Sequence, residues 1–312
     1  MSNKEKNFVS AIVYVHNAEA RLPDFLGMIV RVFETNFEHS EIICVNDGST
    51  DGSISVIRKI SEGTTTTCIS VVNMSNFHGL ELAMDAGMDI AIGDFVFEFD
   101  NTYADFDESM IMKIYEHSLT GYDIVSASPN RKEKFTSRLF YHVFDRFSDV
   151  SYKLTTESFR ILSRRVINRI NSMNKTIPYR KAAYVGSGLK TDNLKYDVKP
   201  VTKLRVDKKE RGFRAGLAID SLILFTEVGF RFSLVMTTLM IILSLFMVIY
   251  TMVVFFVGNP IEGWTTTLLF LSVAFLGLFG ILTIIVKYLQ IIVDMVFKRK
   301  HYNVESIEKY SK

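Results

Sequence analysis

Apolar residues fall into two alternating registers over the first 100 positions. Phe8 to Val15 is a continuous apolar run of strand length, and Leu22, Phe25, Leu26, Ile29, Val32 and Phe33 then recur at helical spacing. The alternation repeats. "SEIICVN" reads as a strand, Ser53 to Ile60 resumes helical periodicity, "TCISVVNM" is a third strand, "GLELAMDAGMDIA" a helix and "DFVFEFD" a fourth strand. Such alternation predicts an α/β domain on a mostly parallel sheet, which binds its ligands beyond the carboxyl ends of the strands. Further along, Ser109 to Leu119 predicts a helix, "DIVSAS" a short strand, Phe135 to Phe147 an amphipathic helix, and "SFRILSRRVINRI" a strand-to-helix transition. Ala183 to Lys203 reads as loops with a hairpin or edge strands, and "HYNVESIEKYSK" as an exposed tail.

The pattern changes near the C-terminus. Ser233 to Val257 is 25 residues without a charge, which at about 1.5 Å per residue crosses a hydrocarbon core of roughly 30 Å. Thr265 to Val286 is a second uncharged run that extends past Lys287, whose stem can snorkel. The competing reading, two buried helices of a soluble protein, is disfavoured because a core helix seldom stays apolar on every face for this length. Two transmembrane helices are therefore expected, at about 233–257 and 265–289. The connector "GNPIEGW" has no Lys or Arg, whereas Arg211, Arg214 and Arg231 precede the first run and Lys298, Arg299 and Lys300 follow the second. The positive-inside tendency then puts both termini on the cytoplasmic face of a cell membrane. The expected layout is a cytoplasmic domain over 1–210, a juxtamembrane helix over 211–232, the spans over 233–293 and a cytoplasmic tail over 294–312. The juxtamembrane stretch is amphipathic enough to lie in the interface or to pack on the soluble domain.

Composition adds exclusions. A formal charge of +2 gives no footing for nucleic-acid binding. Cys44 and Cys68 sit in strand-like sequence on the expected cytoplasmic side with no compact Cys/His set beside them, which disfavours a disulfide or a cysteine metal site. No secretory signal opens the chain as given.

The candidate chemistry lies just after the predicted strands. Asn17, Asp47 and Asp100 should meet on one rim although far apart in sequence. In "VNDGSTDGS", Asp47 can accept hydrogen bonds from a base or ribose while Gly48 lets a ligand approach the backbone, and Asp51 suits a helix N-cap. An ordinary Asp-Gly-Ser turn has the same appearance. Asp100 can offer an oxygen to Mg²⁺ or Mn²⁺, with Asp105 a second candidate ligand if its loop folds back, but Asn101 and Thr102 supply only neutral oxygens. His16, beside Asn17, is the histidine placed nearest that rim. "NRKEKFTSRLFYHVFDR" sets Arg131, Lys134 and Arg138 among aromatic residues, which fits a lipid phosphate contact or an ordinary basic surface helix.

In order and spacing these motifs resemble the family 2, GT-A glycosyltransferases, and within them the polyprenol-phosphate group that includes bactoprenol glucosyltransferases and dolichol-phosphate mannose synthases. "AIVYVHNAEARL" resembles the opening Pro-x-Tyr-Asn-Glu-Glu strand and "EIICVNDGSTDGS" the Val-Asp-Asp-Gly-Ser-x-Asp turn. "NFHGLELAMDAGMDIAIGDFVFEFD" resembles the stretch ending in the sugar-nucleotide and metal motif, and "RKEKFTSRLFYHVFDR" the basic segment of bactoprenol-type members. The resemblance covers nearly the whole chain and implies a Rossmann-like GT-A sheet followed by a two-helix transmembrane segment. It implies inverting transfer from a nucleotide sugar, UDP-linked by the bactoprenol-type likeness, to a polyprenyl phosphate at a lipid bilayer, serving cell-envelope glycan synthesis. Asn17, Glu19, Asp47 and Asn76 would then face the nucleotide, Asp100 the metal and diphosphate, and Arg131, Lys134, Arg138 and Arg160 the phosphates. A homo-oligomer is compatible with it. A non-catalytic homologue binding nucleotide sugar, lipid phosphate or a partner enzyme is the alternative.

The chain also departs from that pattern. Tyr14 and His16 replace Pro and Tyr, Asn46 replaces the first of the paired acids, and Ser158 replaces the Asp that commonly precedes Phe-Arg. Where the family reads Asp-Ala-Asp, this chain reads Asp100-Asn101-Thr102.

Overall fold

The computed structural model describes residues 4–130, 157–172, 180–200 and 302–310, with scattered positions between 235 and 292. The elements run β1 (Val9–Val15), α1 (Leu22–Asn36), β2 (Ser40–Asn46), α2 (Ser53–Ser61), β3 (Thr67–Met74), α3 (Leu80–Ile90), β4 (Phe95–Phe99) and α4 (Ser109–Leu119). β5 (Ile124–Pro129), β6 (Phe159–Ser163), α5 (Arg164–Ser172), α6 (Arg180–Gly186), β7 (Thr191–Tyr196) and β8 (Val304–Tyr310) complete the described set. The strands form one sheet in the order β7-β5-β6-β4-β1-β2-β3-β8. β1 is parallel to β2 and β4, β2 to β3, and β5 to β7, while β6 runs antiparallel to both its neighbours and β8 antiparallel to β3.

All seven residues of β1 are buried, as a central parallel strand covered on both faces requires. Its side chains alternate between two apolar layers. Val9, Ala11, Val13 and Val15 join the helical faces of α1 and α4, whereas Ile12 and Tyr14 join α3 and α5. α3 lies close to the sheet because Gly87 has no side chain: a Cβ there would come within 2.5 Å of Ile12 Cγ2.

The expected elements through β5 appear, as does the β6-to-α5 transition. Of the hairpin or edge strands expected over 183–203, the described residues contain an edge strand, β7, parallel to β5, together with the end of α6. One reading changes. The last residues, expected as a tail, form β8 and cover the edge of β3. Arg58 reaches across to Glu308 at 3.3 Å and stacks over Tyr310, and Asn73 Nδ2 donates to Ser306 Oγ and Glu308 Oε1, each at 3.0 Å. The amphipathic helix expected at 135–147 and the juxtamembrane stretch 211–232 lie outside the described residues, and the two apolar runs lie mainly outside them. Among the described residues, no helix is long and apolar enough to cross a membrane.

Candidate active site

The carboxyl ends of β1 and β2 are joined by a ladder of loop contacts. Asn17 N–H donates to Ser49 Oγ at 3.1 Å, and Asn17 Oδ1 accepts from Thr50 N–H at 2.9 Å. Glu19 and the next turn are reciprocal: Glu19 Oε2 accepts from Gly52 N–H at 2.9 Å, while Glu19 N–H donates to Asp51 Oδ2 at 3.0 Å. Asn17 sits at φ 45°, a left-handed conformation that Asn tolerates better than most residues. Asp51 turns its other oxygen to Ser53, although the N-cap position expected of it is held by Gly52. Burial opposes its ionisation, but the Ser53 hydroxyl and the backbone N–H groups around it lower its pKa. Asn17 and Glu19 remain exposed on the rim.

Asp47 lies beneath that rim, fully buried. Its carboxylate accepts from Tyr14 OH at 3.0 Å, His78 N–H at 2.7 Å and Gly79 N–H at 2.8 Å. Those two backbone donors lie just ahead of α3, so Asp47 fixes the chain's entry into that helix from another loop. Gly48 makes the approach possible: at φ 63°, its Cβ position would lie 3.1 Å from Phe77 N. Asn76 stands exposed in the loop so held. Asn46, in place of an acid, bridges neutrally from Asn73 Oδ1 at 3.0 Å to Ser49 N–H at 3.2 Å.

The end of β4 is charged instead. Alternation puts Glu98 and Asp100 on the same face, and the antiparallel pairing of Glu98 with Arg160 brings that guanidinium alongside them. Arg160 donates to Glu98 Oε2 and to Asp100 Oδ2, each at 2.7 Å, and to Glu157 Oε2 at 3.1 Å. A second guanidinium arrives from α6. Arg180 donates to Asp100 Oδ1 and Glu81 Oε2, each at 2.9 Å, and to Glu98 Oε1, which also accepts from Tyr184 OH at 2.7 Å. Arg160 is 1% exposed and Arg180 4%, so the forks are fixed inside the protein. Burial opposes ionisation of Asp100, but the guanidiniums of Arg160 and Arg180 outweigh it and hold the carboxyl well below the usual range.

This arrangement bears directly on the metal. Both oxygens of Asp100 already accept from cations, and Thr102 beside it is neutral and buried. Asp105, the second candidate ligand, is buried with Oδ1 3.0 Å from the Tyr196 hydroxyl, which also lies 2.5 Å from Ser158 Oγ. Among the described residues, no group of three or more His, Cys, Asp or Glu side chains could hold a metal ion. A divalent ion would meet, in Asp100, a carboxylate whose two oxygens are already held by guanidiniums, so the donor set among the described residues does not fit a resident metal.

The structure thus brings Asn17, Glu19, Asp47, Asn76, Asp100 and Arg160 to one end of the sheet, and places Arg131, Lys134 and Arg138 outside the described residues. Sequence reasoning missed Arg180, Glu98 and Glu81. Their only advance signal was the run of alternate acids Glu98 and Asp100, which demands cations once both face inward. Arg21 is a further contributor. It donates to Tyr103 OH at 2.9 Å and to Asn17 O at 3.3 Å, linking the β1 loop to the loop after β4.

Residues 10–176 match the family described as Glycosyl transferase family 2. A glycosyltransferase of Synechocystis is 28% identical over 198 residues, covering 62% of this chain and 61% of its own length. A prophage bactoprenol glucosyl transferase homologue of Escherichia coli K12 is 26% identical, covering 86% of this chain and 88% of its own. A mannosyltransferase of Pyrobaculum calidifontis, solved with GDP-mannose and Mn²⁺, superposes with a TM-score of 0.51 at 15% identity, covering 70% of this chain and 64% of that one. At that identity the likeness is one of fold, and it agrees with a GT-A-like α/β sheet.

Proposed function

Because the chain belongs to glycosyl transferase family 2, we propose that it transfers a glycosyl group, with inversion, from a nucleotide sugar to a polyprenyl phosphate at the cytoplasmic face of a membrane. The observation that carries this reading is the gathering of Asn17, Glu19, Asn76 and Asp100 at one rim of a chain similar over most of its length to a bactoprenol glucosyl transferase homologue. A UDP-sugar is the proposed donor. Asn17, Glu19 and Asn76 face the nucleotide, and Asp47 acts beneath them by holding the loop that carries Asn76.

The chemistry asks little of a general base. A phosphate monoester is already ionised near neutral pH, so its oxygen attacks the anomeric carbon directly as the bond to the diphosphate breaks, and the nucleoside diphosphate leaves with the electron pair. What the site must supply is charge balance and exclusion of water. Arg160 and Arg180 offset the carboxylates of Glu98 and Asp100, which would otherwise repel a diphosphate. Arg131, Lys134 and Arg138 are the proposed partners of the phosphates themselves. The proposed layout keeps the catalytic domain at 1–210, the juxtamembrane helix at 211–232 and the spans within 233–293. Support for a lipid-facing segment comes from Val235, Leu239, Ile242, Phe246, Leu278 and Ile285, helical positions each at least 47% exposed.

The test is incubation of membranes carrying the protein with labelled nucleotide sugars and polyprenyl phosphate, followed by extraction of labelled lipid. A labelled lipid is expected, at a rate that a chelator leaves unchanged. No product from a broad donor panel would favour a binding role, and a chelator-sensitive rate would restore Asp100 as a metal ligand.

A further inference from the structure

β8 runs antiparallel to β3, so its first residue, Val304, pairs with Met74 at the rim end of the sheet. The residues just before it engage the loop that follows β3. Asn303 O accepts from Ser75 N–H at 2.9 Å, and Asn303 N–H donates to His78 Nε2 at 3.2 Å. The other ring nitrogen of His78, Nδ1, lies 2.7 Å from Asn76 O. A carbonyl only accepts, so Nδ1 carries the proton and Nε2 is the bare acceptor; both contacts select the same neutral tautomer. Tyr302 adds a third attachment, donating its hydroxyl to Asp89 of α3.

His78 therefore stands between two anchors. Its backbone N–H is held by Asp47, and its ring ties Asn76, an exposed rim residue, to the C-terminal strand. We infer that His78 and the backbone of Asn303 form a positioning pair through which the end of the chain sets the loop at 75–79 for the nucleotide. The inference rests on the reading of this rim as the donor site, and adds that the donor site is incomplete without residues 302–310.

Three variants of the full chain test this. His78→Leu removes both ring contacts. Asn303→Pro removes the N–H while keeping the carbonyl, at a strand start where proline is tolerated. His78→Gln keeps an acceptor near the Nε2 position. Calorimetric titration with UDP and GDP should show binding weakened about tenfold in the first two and within about threefold of the parent in the third, with melting midpoints unchanged. Deuterium exchange at 75–79, measured without nucleotide, should rise in the first two only. Equal affinities throughout, or a Gln variant as weak as Leu, would overturn the inference, as would unchanged exchange. If the parent binds neither nucleotide, the donor-site reading fails, and faster exchange in the Leu and Pro variants would still support the link between β8 and the loop.

Discussion

Asp47 and Asp100 each follow the last residue of a parallel strand, and both are buried, yet their charges are met by different means. Asp47 takes three neutral donors, a tyrosine hydroxyl and two backbone N–H groups. Asp100 takes two guanidiniums that also serve Glu98. On the first side of the rim, a carboxylate shapes a loop through uncharged donors. On the second, four acids, Glu81, Glu98, Asp100 and Glu157, are set against Arg160, Arg180 and Lys181, and the charge is nearly cancelled. One half of the rim is a preorganised cradle, and the other is a charged brace between β4, β6, α3 and α6.

The strongest way to break that contrast is to remove the cation that joins the most elements. Arg180→Met leaves Glu81, Glu98 and Asp100 each short of a partner in a buried setting, and should cost about 3 to 5 kcal/mol in chemical denaturation. Arg180→Lys should recover only a fraction, since one ammonium cannot reproduce a fork that reaches three carboxylates. A loss below about 1 kcal/mol would mean that the brace relaxes around the gap and that the cluster is not a single unit.

Asp47→Asn sharpens the other side. The amide retains one acceptor oxygen but turns an NH₂ toward a backbone N–H, so about 1 to 3 kcal/mol should be lost. Exchange at His78 and Gly79 should rise more than in the body of α3. An equal loss in the two aspartate regions would erase the distinction between a neutral and a charged solution.

The two sides also differed in how far they could be read from sequence. β1 to β4 and α1 to α4 announce themselves because each buries a local apolar pattern, and Ser109 to Leu119 was bounded correctly on that basis. Asn17, Glu19 and Asp47 follow such strands within a few residues, so their convergence was legible. The position of Asp100 was legible too, but its chemistry was not. Arg180 lies 80 residues from Asp100 and 99 from Glu81, in "PYRKAAYVG", where nothing local marks it as the partner of three acids. β8 escaped for a related reason. "VESIEKY" alternates weakly and is largely exposed, and its strand character comes from the open edge of β3, whose Asn73 pairs with Ser306, 233 residues away.

A pH-dependent effect concerns the acid that the brace leaves over. Burial pushes Asp85 up to about 8, against the lowering pull of Arg180 and with Glu81, Glu98 and Asp89 adding to the rise. An unfolded Asp titrates near about 3.9. A carboxyl raised in the folded state contributes stability that is complete below the unfolded value and disappears as pH climbs toward the folded one, so the loss falls between about pH 4 and about pH 8. Asp100 is lowered, not raised, and its contribution fades only in acid, so it stays constant over the upper part of that window. Melting midpoints at pH 5 and pH 8 should therefore fall more steeply in the parent than in Asp85→Asn, where the amide imitates the protonated form at every pH. Parallel slopes would show that Asp85 is ionised throughout and that the brace carries a further negative charge beside its four acids.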